Sequence, residues 1–183
     1  MSEKPPPDFA MLRAVEVMAQ FIERHAKPAV PRPPLERPVL LFNENLTLQV
    51  GSTTREQVEY VLGSGFAYPA RGWQTYGLQH ESGLALLSVF YKNDVLIGAE
   101  CYTPRTKSAP RLAPRSLGAF RFIPGEVGLG SAFTVLSEDY APATGGPGTQ
   151  VFSTAYEARF PGGIAYVMGN KGRVERLVLY ADR

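Results

Sequence analysis

Cysteine is almost absent from this sequence, since Cys101 is the only one among 183 residues. A single thiol excludes an internal disulfide, which is what a reducing compartment favours. Cys101 alternates with Val95, Ile97 and Ala99, and this pattern predicts a small buried side chain on a strand. A nucleophilic role would need an activating base beside the thiol, which a sequence alone does not show.

Long hydrophobic runs are also missing. No stretch approaches the roughly 18 apolar residues that are needed to cross a bilayer. The first eight residues, Met-Ser-Glu-Lys-Pro-Pro-Pro-Asp, lack the apolar centre of a secretory leader. We therefore expect a cytoplasmic protein without a membrane span. Its 44% hydrophobic and 20% charged residues are typical of a globular chain.

The sequence has little net charge and few metal-binding side chains. A net charge of +2 does not predict nucleic-acid binding. Neither His25 nor His80 has a second ligand at the spacing that metal-binding motifs use. Nucleophile elbows, phosphate loops and dinucleotide loops are absent too. The sequence therefore predicts no metal, no cofactor and no enzymatic activity.

The first segment, residues 1–38, contains an amphipathic helix over residues 8–26. Asp8 follows a proline run and can cap the helix N-terminus. The rest of the segment is a Pro-rich linker. The helix packs either on its own domain, which is the simpler interpretation, or on a partner. Its apolar stripe consists of Met11, Val15, Met18 and Ile22, widened by Ala14 and Phe21.

The sequence of residues 39–103 predicts a first α+β unit. A short strand, Leu46–Val50, precedes a helix that begins at a capping box formed by Thr53 and Glu56 and ends at Gly63. Three strands follow the helix, and Asn93-Asp94 predicts a tight turn between the last two. The predicted strands are Gly72–Gln79, Leu84–Tyr91 and Val95–Thr103.

Residues 104–118 form a Pro-rich connector with four basic residues and no acidic one. This connector is either a linker or a basic arm for an acidic partner.

The sequence of residues 119–183 then predicts a second α+β unit. Its helix, Gly128–Ser137, is weakened by two glycines, so it can prove short or partly 3₁₀. Its strands are Phe120–Phe122, Gln150–Phe160 with Phe152 and Tyr156 on one face, Gly163–Met168 and Arg173–Ala181.

The two units align with each other as an internal repeat, each with one strand, a helix and three more strands. The alignment places Gly51 on Gly125, Val61-Leu62 on Val135-Leu136 and Tyr102 near Tyr180. We therefore expect an α+β fold of two tandem helix-plus-sheet repeats. About eight antiparallel strands would carry the helices on one face and leave the other face partly open.

The run from Gly51 to Val58, followed by Leu62-Gly63, resembles the opening motif of the SmpA/OmlA lipoprotein family, also called BamE-like. Trp73 and Tyr76 occupy the aromatic strand of that family, and Phe90 begins its Phe-rich hairpin. A tandem of such units is similar to the β-lactamase-inhibitor-protein-like fold. The resemblance spans residues 46–102 and 120–181. It implies a non-catalytic module that binds other proteins.

Exposed aromatic residues are the best functional candidates in the sequence. Trp73, Tyr76, Tyr91 and Tyr102 lie on predicted strands of the first unit, and such residues are enriched at binding hot spots. Packing in the core is the alternative role for each of them. We expect a protein partner on the open sheet face, or homo-oligomer formation. A small-molecule carrier with a pocket between the two units is the alternative function.

Overall fold

A computed structural model describes most of the chain, and nearly all of both Pro-rich connectors lies outside the described residues. The described residues are 9–26, 30, 40–43, 45–65, 72–80, 83–104, 120–123, 126–146 and 149–182.

The protein has an α+β fold with two α-helices and eleven strands in the described residues, which confirms the α+β class and the antiparallel sheet but not the tandem repeat. The helices are α1 (Phe9–His25) and α2 (Arg55–Leu62). The strands are β1 (Leu40–Phe42), β2 (Thr47–Gln49), β3 (Trp73–His80), β4 (Gly83–Lys92), β5 (Val95–Tyr102), β6 (Arg121–Ile123), β7 (Val127–Gly128), β8 (Ala141–Pro142), β9 (Thr154–Phe160), β10 (Gly163–Asn170) and β11 (Arg173–Ala181).

The strands form two antiparallel sheets, where the sequence pattern predicted one sheet of about eight strands. The larger sheet has seven strands in the order β3-β4-β5-β11-β10-β9-β8. The smaller sheet has four, in the order β2-β1-β6-β7. In both sheets a strand from the first half pairs with a strand from the second, β5 with β11 and β1 with β6. These pairings tie residues 40–102 to residues 121–181.

Both faces of the large sheet are covered, so the predicted open face is wrong for its central strands. Side chains of β4 alternate between the faces. Leu86 and Phe90 pack with α1, whereas Leu87 and Val89 pack with α2 and the small sheet. Consecutive residues of β4 and β5 are therefore buried. Coverage from both sides explains why these strands are almost continuously apolar.

The α1 helix lies across the large sheet as its amphipathic pattern predicts. Its stripe residues Met11, Val15, Met18 and Ile22 are all buried. Ala14, which was expected to widen the stripe, is exposed, and Leu12 on the other side of the stripe is buried. Gly98 on β5 lets the helix approach closely, since a Cβ atom there would overlap Ile22. The stripe is thus covered by the protein's own sheet.

The α2 helix begins one residue later than the capping pattern predicts. Thr54 accepts from the Gln57 backbone, and the Gln57 side chain accepts from the Thr54 backbone. The neighbouring Thr53 is buried, and its hydroxyl accepts from the backbone N–H of Gln49 at 2.8 Å. Thr53 therefore fixes the end of β2, while Glu56 is exposed. Gly63 ends the helix as predicted, with φ of 76°.

The second half is more irregular than its sequence pattern suggests. The expected helix over 128–137 is only a 3₁₀ turn at Phe133–Val135. Gly128 lies in β7, and Gly130 has φ of 82°, a conformation that ends regular structure there. Phe152 precedes β9 and packs on the α1 side of the sheet, whereas Tyr156 packs on the other side. The Gly125 part of the predicted repeat lies outside the described residues.

Packing of α1 on the sheet predicts how two variants of this helix behave. Ile22 is fully buried, so Ile22→Ala should lower the free energy of unfolding by about 2–5 kcal/mol in urea titrations. Val17 is 62% exposed, so Val17→Ala should change it by less than about 0.5 kcal/mol. Equal effects of the two changes would contradict a helix docked on its own domain.

Candidate functional site

The four aromatic residues expected to bind a partner do not form one exposed surface. Trp73, Tyr76 and Tyr91 are buried, and Tyr102 is half-buried. Alternation along the strands sends Trp73 to the α1 side and Tyr76 and Tyr91 to the α2 side. Their role in binding stays a prediction, but the sheet face on which it depended is covered by the helices and the small sheet.

Tyr76 and Tyr91 meet in a polar cluster beneath α2. The Tyr76 hydroxyl donates to the backbone oxygen of Gly63 at 2.9 Å, which fixes the C-terminal end of the helix. The Arg55 guanidinium lies 4.6 Å from the centre of the Tyr91 ring, a cation–π contact. Arg55 also pairs with Asp94 in the β4–β5 turn at 2.9 Å. Polar contacts therefore hold both ends of α2.

Gln74 gives this cluster a further link between helix and sheet. Its amide nitrogen donates to Glu59 on α2 and to the backbone oxygen of Ser64. Within the described part of the chain, the Gln74 Oε1 and Tyr91 Oη atoms are buried without a hydrogen-bond partner. Burial raises the pKa of Tyr91, so the phenol is neutral and keeps its proton. These two atoms suit a bridging water molecule more than a reaction.

Trp73 lies on the opposite side of the sheet, at a cleft beside α1. Its indole Nε1 donates to Glu16 Oε1 at 3.0 Å. The α1 cleft has a volume of about 430 Å³. One wall is α1, with Glu16, Ala19, Gln20 and Glu23, and the other is formed by strand residues that include Trp73 and Phe90. A half-buried carboxylate is thus held against an aromatic wall.

Tyr102 contacts a buried ion pair that the sequence analysis missed. The Arg176 guanidinium lies 5.1 Å from the centre of the Tyr102 ring and 5.7 Å from that of Phe152. It pairs with Glu100, whose side chain is 1% exposed, against 14% for Arg176. A signal was present, because Glu100 interrupts the apolar run from Val95 to Cys101, and a buried carboxylate needs a partner.

The Glu100 carboxyl is the most strongly buried charge-bearing group among these side chains. Burial raises the pKa of Glu100 above its ordinary value of 4.5, while the charge of Arg176 and its hydrogen bond lower it. Ser88 lies opposite Glu100 on β4, and its hydroxyl is 3.0 Å from that of Thr75 on β3. A polar row of Thr75, Ser88 and Glu100 therefore crosses the sheet on its α1 side.

A second depression lies on the opposite side of the protein, between β2 and α2. This α2 groove measures about 720 Å³. Tyr60 stands at its side with 92% of its surface exposed. The sequence analysis missed Tyr60, although it lies between the buried Val58 and Leu62 and so on the outer side of the helix. The groove is lined by neutral polar side chains, among them Asn45, Thr47, Gln49 and Gln57.

The cysteine and the two histidines, which could take part in chemistry, do not form a common site in the described residues. Burial raises the pKa of the Cys101 thiol, which keeps it protonated and unreactive. His25 is exposed, and its ring centre lies 4.3 Å from that of Phe21 with the ring planes tilted by 32°. The His80 side chain lies outside the described residues. Within the described ranges, His, Cys, Asp and Glu side chains form no group of three that could hold a metal ion.

Comparison with known proteins assigns no family. No protein-family model matches the chain, and no curated protein or solved structure is similar to it. In the part of the chain that the structure describes, no helix is both long enough and apolar enough to cross a membrane. The resemblance to the SmpA/OmlA family stays an expectation based on the sequence motif.

The Glu100–Arg176 pair predicts a pH-dependent stability defect. The folded state holds the Glu100 proton more tightly than the unfolded chain does, because burial raises the pKa. The resulting stabilisation is complete below pH 4.5 and is lost as the pH rises through the folded-state pKa. Arg176→Met removes the positive charge that stabilises the ionised Glu100 carboxylate and so limits the loss of stability at higher pH. Its deficit in urea unfolding should grow with pH and reach about 3–5 kcal/mol near neutrality.

The double variant Glu100→Gln with Arg176→Met is the control, because it removes the titrating group. Its free energy of unfolding should lack the Glu100-linked change with pH, so its deficit relative to the wild type should not grow as the pH rises. A constant deficit for Arg176→Met alone would show that Glu100 does not depend on Arg176 for its charge.

Proposed function

We propose that this protein is a non-catalytic protein-interaction module that binds a partner segment in the α2 groove. The observation that carries the proposal is Tyr60, a tyrosine with 92% of its surface in solvent beside a groove of about 720 Å³. Large amphipathic side chains of this kind dominate binding energies at protein interfaces. The proposal keeps the binding role expected from the sequence and moves it from the sheet face to α2.

The groove chemistry favours an uncharged polypeptide segment as occupant. Side-chain amides of Asn45, Gln49 and Gln57 offer both donors and acceptors, which matches the alternating groups of a peptide backbone. Among the described residues that line the groove, Glu56 is the only charged one, so they offer little to a strongly charged partner. Tyr60 supplies the apolar surface that an aliphatic or aromatic side chain of the partner can cover.

Recognition by strand addition is not favoured at the edges next to these sites. On β2, the outward Gln49 N–H and Thr47 carbonyl already bond to the Thr53 hydroxyl. On β3, the residues from Trp73 to Leu78 are buried. An extended partner segment would otherwise add to such an edge through its backbone. The side chains of the α2 groove therefore provide the recognition that we propose.

We also propose that the two halves are tandem copies related to the β-lactamase-inhibitor-protein-like arrangement. Support comes from the β4–β5 and β10–β11 hairpins. Both ladders shift register immediately before the turn, at Phe90/Tyr91 and at Met168/Gly169. Each paired residue of the β10–β11 hairpin lies the same number of positions along the chain after its counterpart in the β4–β5 hairpin. The corresponding pairs include Leu86–Tyr102 with Ile164–Tyr180, and Lys92–Val95 with Asn170–Arg173.

The carrier function is the second candidate, but the described depressions do not favour a pocket between the halves. The α1 cleft and the α2 groove are both lined by residues of the first half and its preceding helix. Of these two depressions, the cleft beside α1 is the one that we propose for a small-molecule site.

The interaction function is tested by selecting a peptide and measuring its dependence on Tyr60. The full chain is used to select binders from a displayed library of random peptides, and a selected peptide is measured by fluorescence anisotropy. Tyr60→Ala should weaken binding at least about tenfold, because a hot-spot side chain contributes about 2 kcal/mol or more. Its unfolding free energy should change by less than about 0.5 kcal/mol.

Val135→Ala is the matched control, since Val135 is 54% exposed and does not line the groove. This variant should bind the peptide as the wild type does. Failure to select any peptide, or equal binding by Tyr60→Ala, would overturn the proposed function.

A further inference from the structure

The α2 side of β9 is less well covered than that of β3, which lies at the other end of the large sheet. On β3, Tyr76 and Leu78 are buried beneath α2. On β9, Tyr156 and Phe160 point to the same side of the sheet but are only half-buried. The element that lies over them is the 3₁₀ turn Phe133–Val135, which is too short to cover a strand as a helix does.

Side chains of this turn and of β9 form an apolar strip at the surface. The ring centres of Phe133 and Tyr156 are 5.7 Å apart. Val135 has 54% of its surface in solvent, although it is a large hydrophobic residue. Tyr156 and Phe160 are about 13 Å apart along the strand, at about 3.3 Å per residue. We call this surface the β9 strip, and it consists of Phe133, Val135, Leu136, Tyr156 and Phe160.

One end of the β9 strip is basic. The backbone N–H of Phe133 donates to the Gly172 oxygen at 3.3 Å, so the β10–β11 turn lies at this end of the strip. Lys171 and Arg173 flank Gly172 in the turn, and both are exposed. Glu175 is nearby, but the two cations leave the turn with a net positive charge.

The other end of the β9 strip is acidic. The exposed pair Glu138-Asp139 comes directly before Tyr140, whose ring centre is 6.4 Å from that of Phe160. Arg159 does not neutralise this end, because alternation sends it to the α1 side of the sheet, where it lies 3.9 Å from Glu157. The strip therefore has opposite charges at its two ends and apolar side chains between them.

We propose that the β9 strip is the contact surface between two copies of this chain that are related by a two-fold axis. A half-turn places the acidic end of one strip on the basic end of the other, so Glu138-Asp139 faces Lys171 and Arg173 twice. The apolar centres, which include Val135 and Tyr156, then cover each other and leave water. The net charge of +2 per chain adds little repulsion between the copies.

The charge order of the strip favours a second copy over a different protein. A different protein would have to present an apolar centre with the opposite order of charges. A second copy meets this requirement with its own strip, because a surface with unlike ends is complementary to itself after a half-turn.

The contact is made by the face of the sheet and not by its edge. The edge strand β8 has only two residues, Ala141–Pro142, and Pro142 has no backbone N–H to donate to another strand. Side chains of the β9 strip therefore provide the contact between the copies.

Sedimentation of the purified full chain over a series of concentrations tests the proposal. We expect a monomer of 20.0 kDa in equilibrium with a dimer of twice that mass. Val135→Glu should raise the dissociation constant of the dimer at least about tenfold, because it buries a carboxylate in the apolar centre. The urea midpoint of this variant should match that of the monomeric wild type, since Val135 is exposed in the single chain.

Val17→Glu is the matched control. It makes the same replacement at a valine that is 62% exposed on α1, away from the β9 strip. This variant should form the dimer as the wild type does.

Exchange of charges tests the two-fold arrangement. Glu138→Lys and Lys171→Glu should each raise the dissociation constant about tenfold, because the two-fold axis repeats each new like-charge contact. The double variant should return the dissociation constant toward the wild-type value, since it reverses both ends of the strip together. Failure of the double variant to recover dimer formation would overturn this arrangement.

Two other results would overturn the dimer itself. The first is a monomer mass at every concentration up to about 1 mM, because a weaker contact would not be specific. The second is unchanged dimer formation by Val135→Glu, which would place the contact elsewhere. If the chain stays monomeric and Val135→Glu loses a peptide selected from the displayed library, the strip binds a different protein and not a second copy.

Two variants keep this test separate from the proposed function. Tyr60→Ala should form the dimer as the wild type does, because α2 covers β3 and the β9 strip lies at the other end of the sheet. Val135→Glu should in turn keep the peptide that binds in the α2 groove. Loss of both activities in either variant would count against two independent surfaces.

Discussion

The pairing of β5 with β11 is the constraint on which the rest of the structure depends. It joins the three strands of the first half to those of the second half in one antiparallel sheet. Glu100 and Val178 face each other at the centre of this ladder, and Arg176 faces Tyr102 at one end. Because the joined strands are covered on both sides, each polar group in them needs a partner inside the protein. The Glu100–Arg176 pair satisfies that need.

Coverage of the sheet decides where recognition can take place. The α1 helix uses one face of the sheet, and α2 with the small sheet uses the other. The central strands therefore form the frame of the protein, and the outer sides of the helices remain exposed. Tyr60 and Glu23 illustrate this, since both are exposed on helices whose inner sides are buried.

Local patterns predicted much of the fold and little of the candidate site. Helical periodicity gave α1, and Asn93-Asp94 marked a turn in which both residues have positive φ. Sequence could not show that β1 pairs with β6, because that contact joins residues far apart in the chain. Alternation put Trp73 and Tyr76 on opposite faces of one strand, but it does not reveal which face is covered. Thr53 and Thr54 both suited the capping role, and only packing around β2 separates them.

The two helices are held by neighbouring residues of β3. Trp73 donates to Glu16 on α1, and Gln74 donates to Glu59 on α2, because alternation sends successive side chains to opposite faces. One strand thus positions both helices through one glutamate each. A change at Trp73 would disturb the contact with α1 and a change at Gln74 the contact with α2, whereas Tyr60 lies on the exposed side of α2. The outer residues of the helices, and not the aromatic residues of the strand, are therefore the ones that distinguish binding from folding.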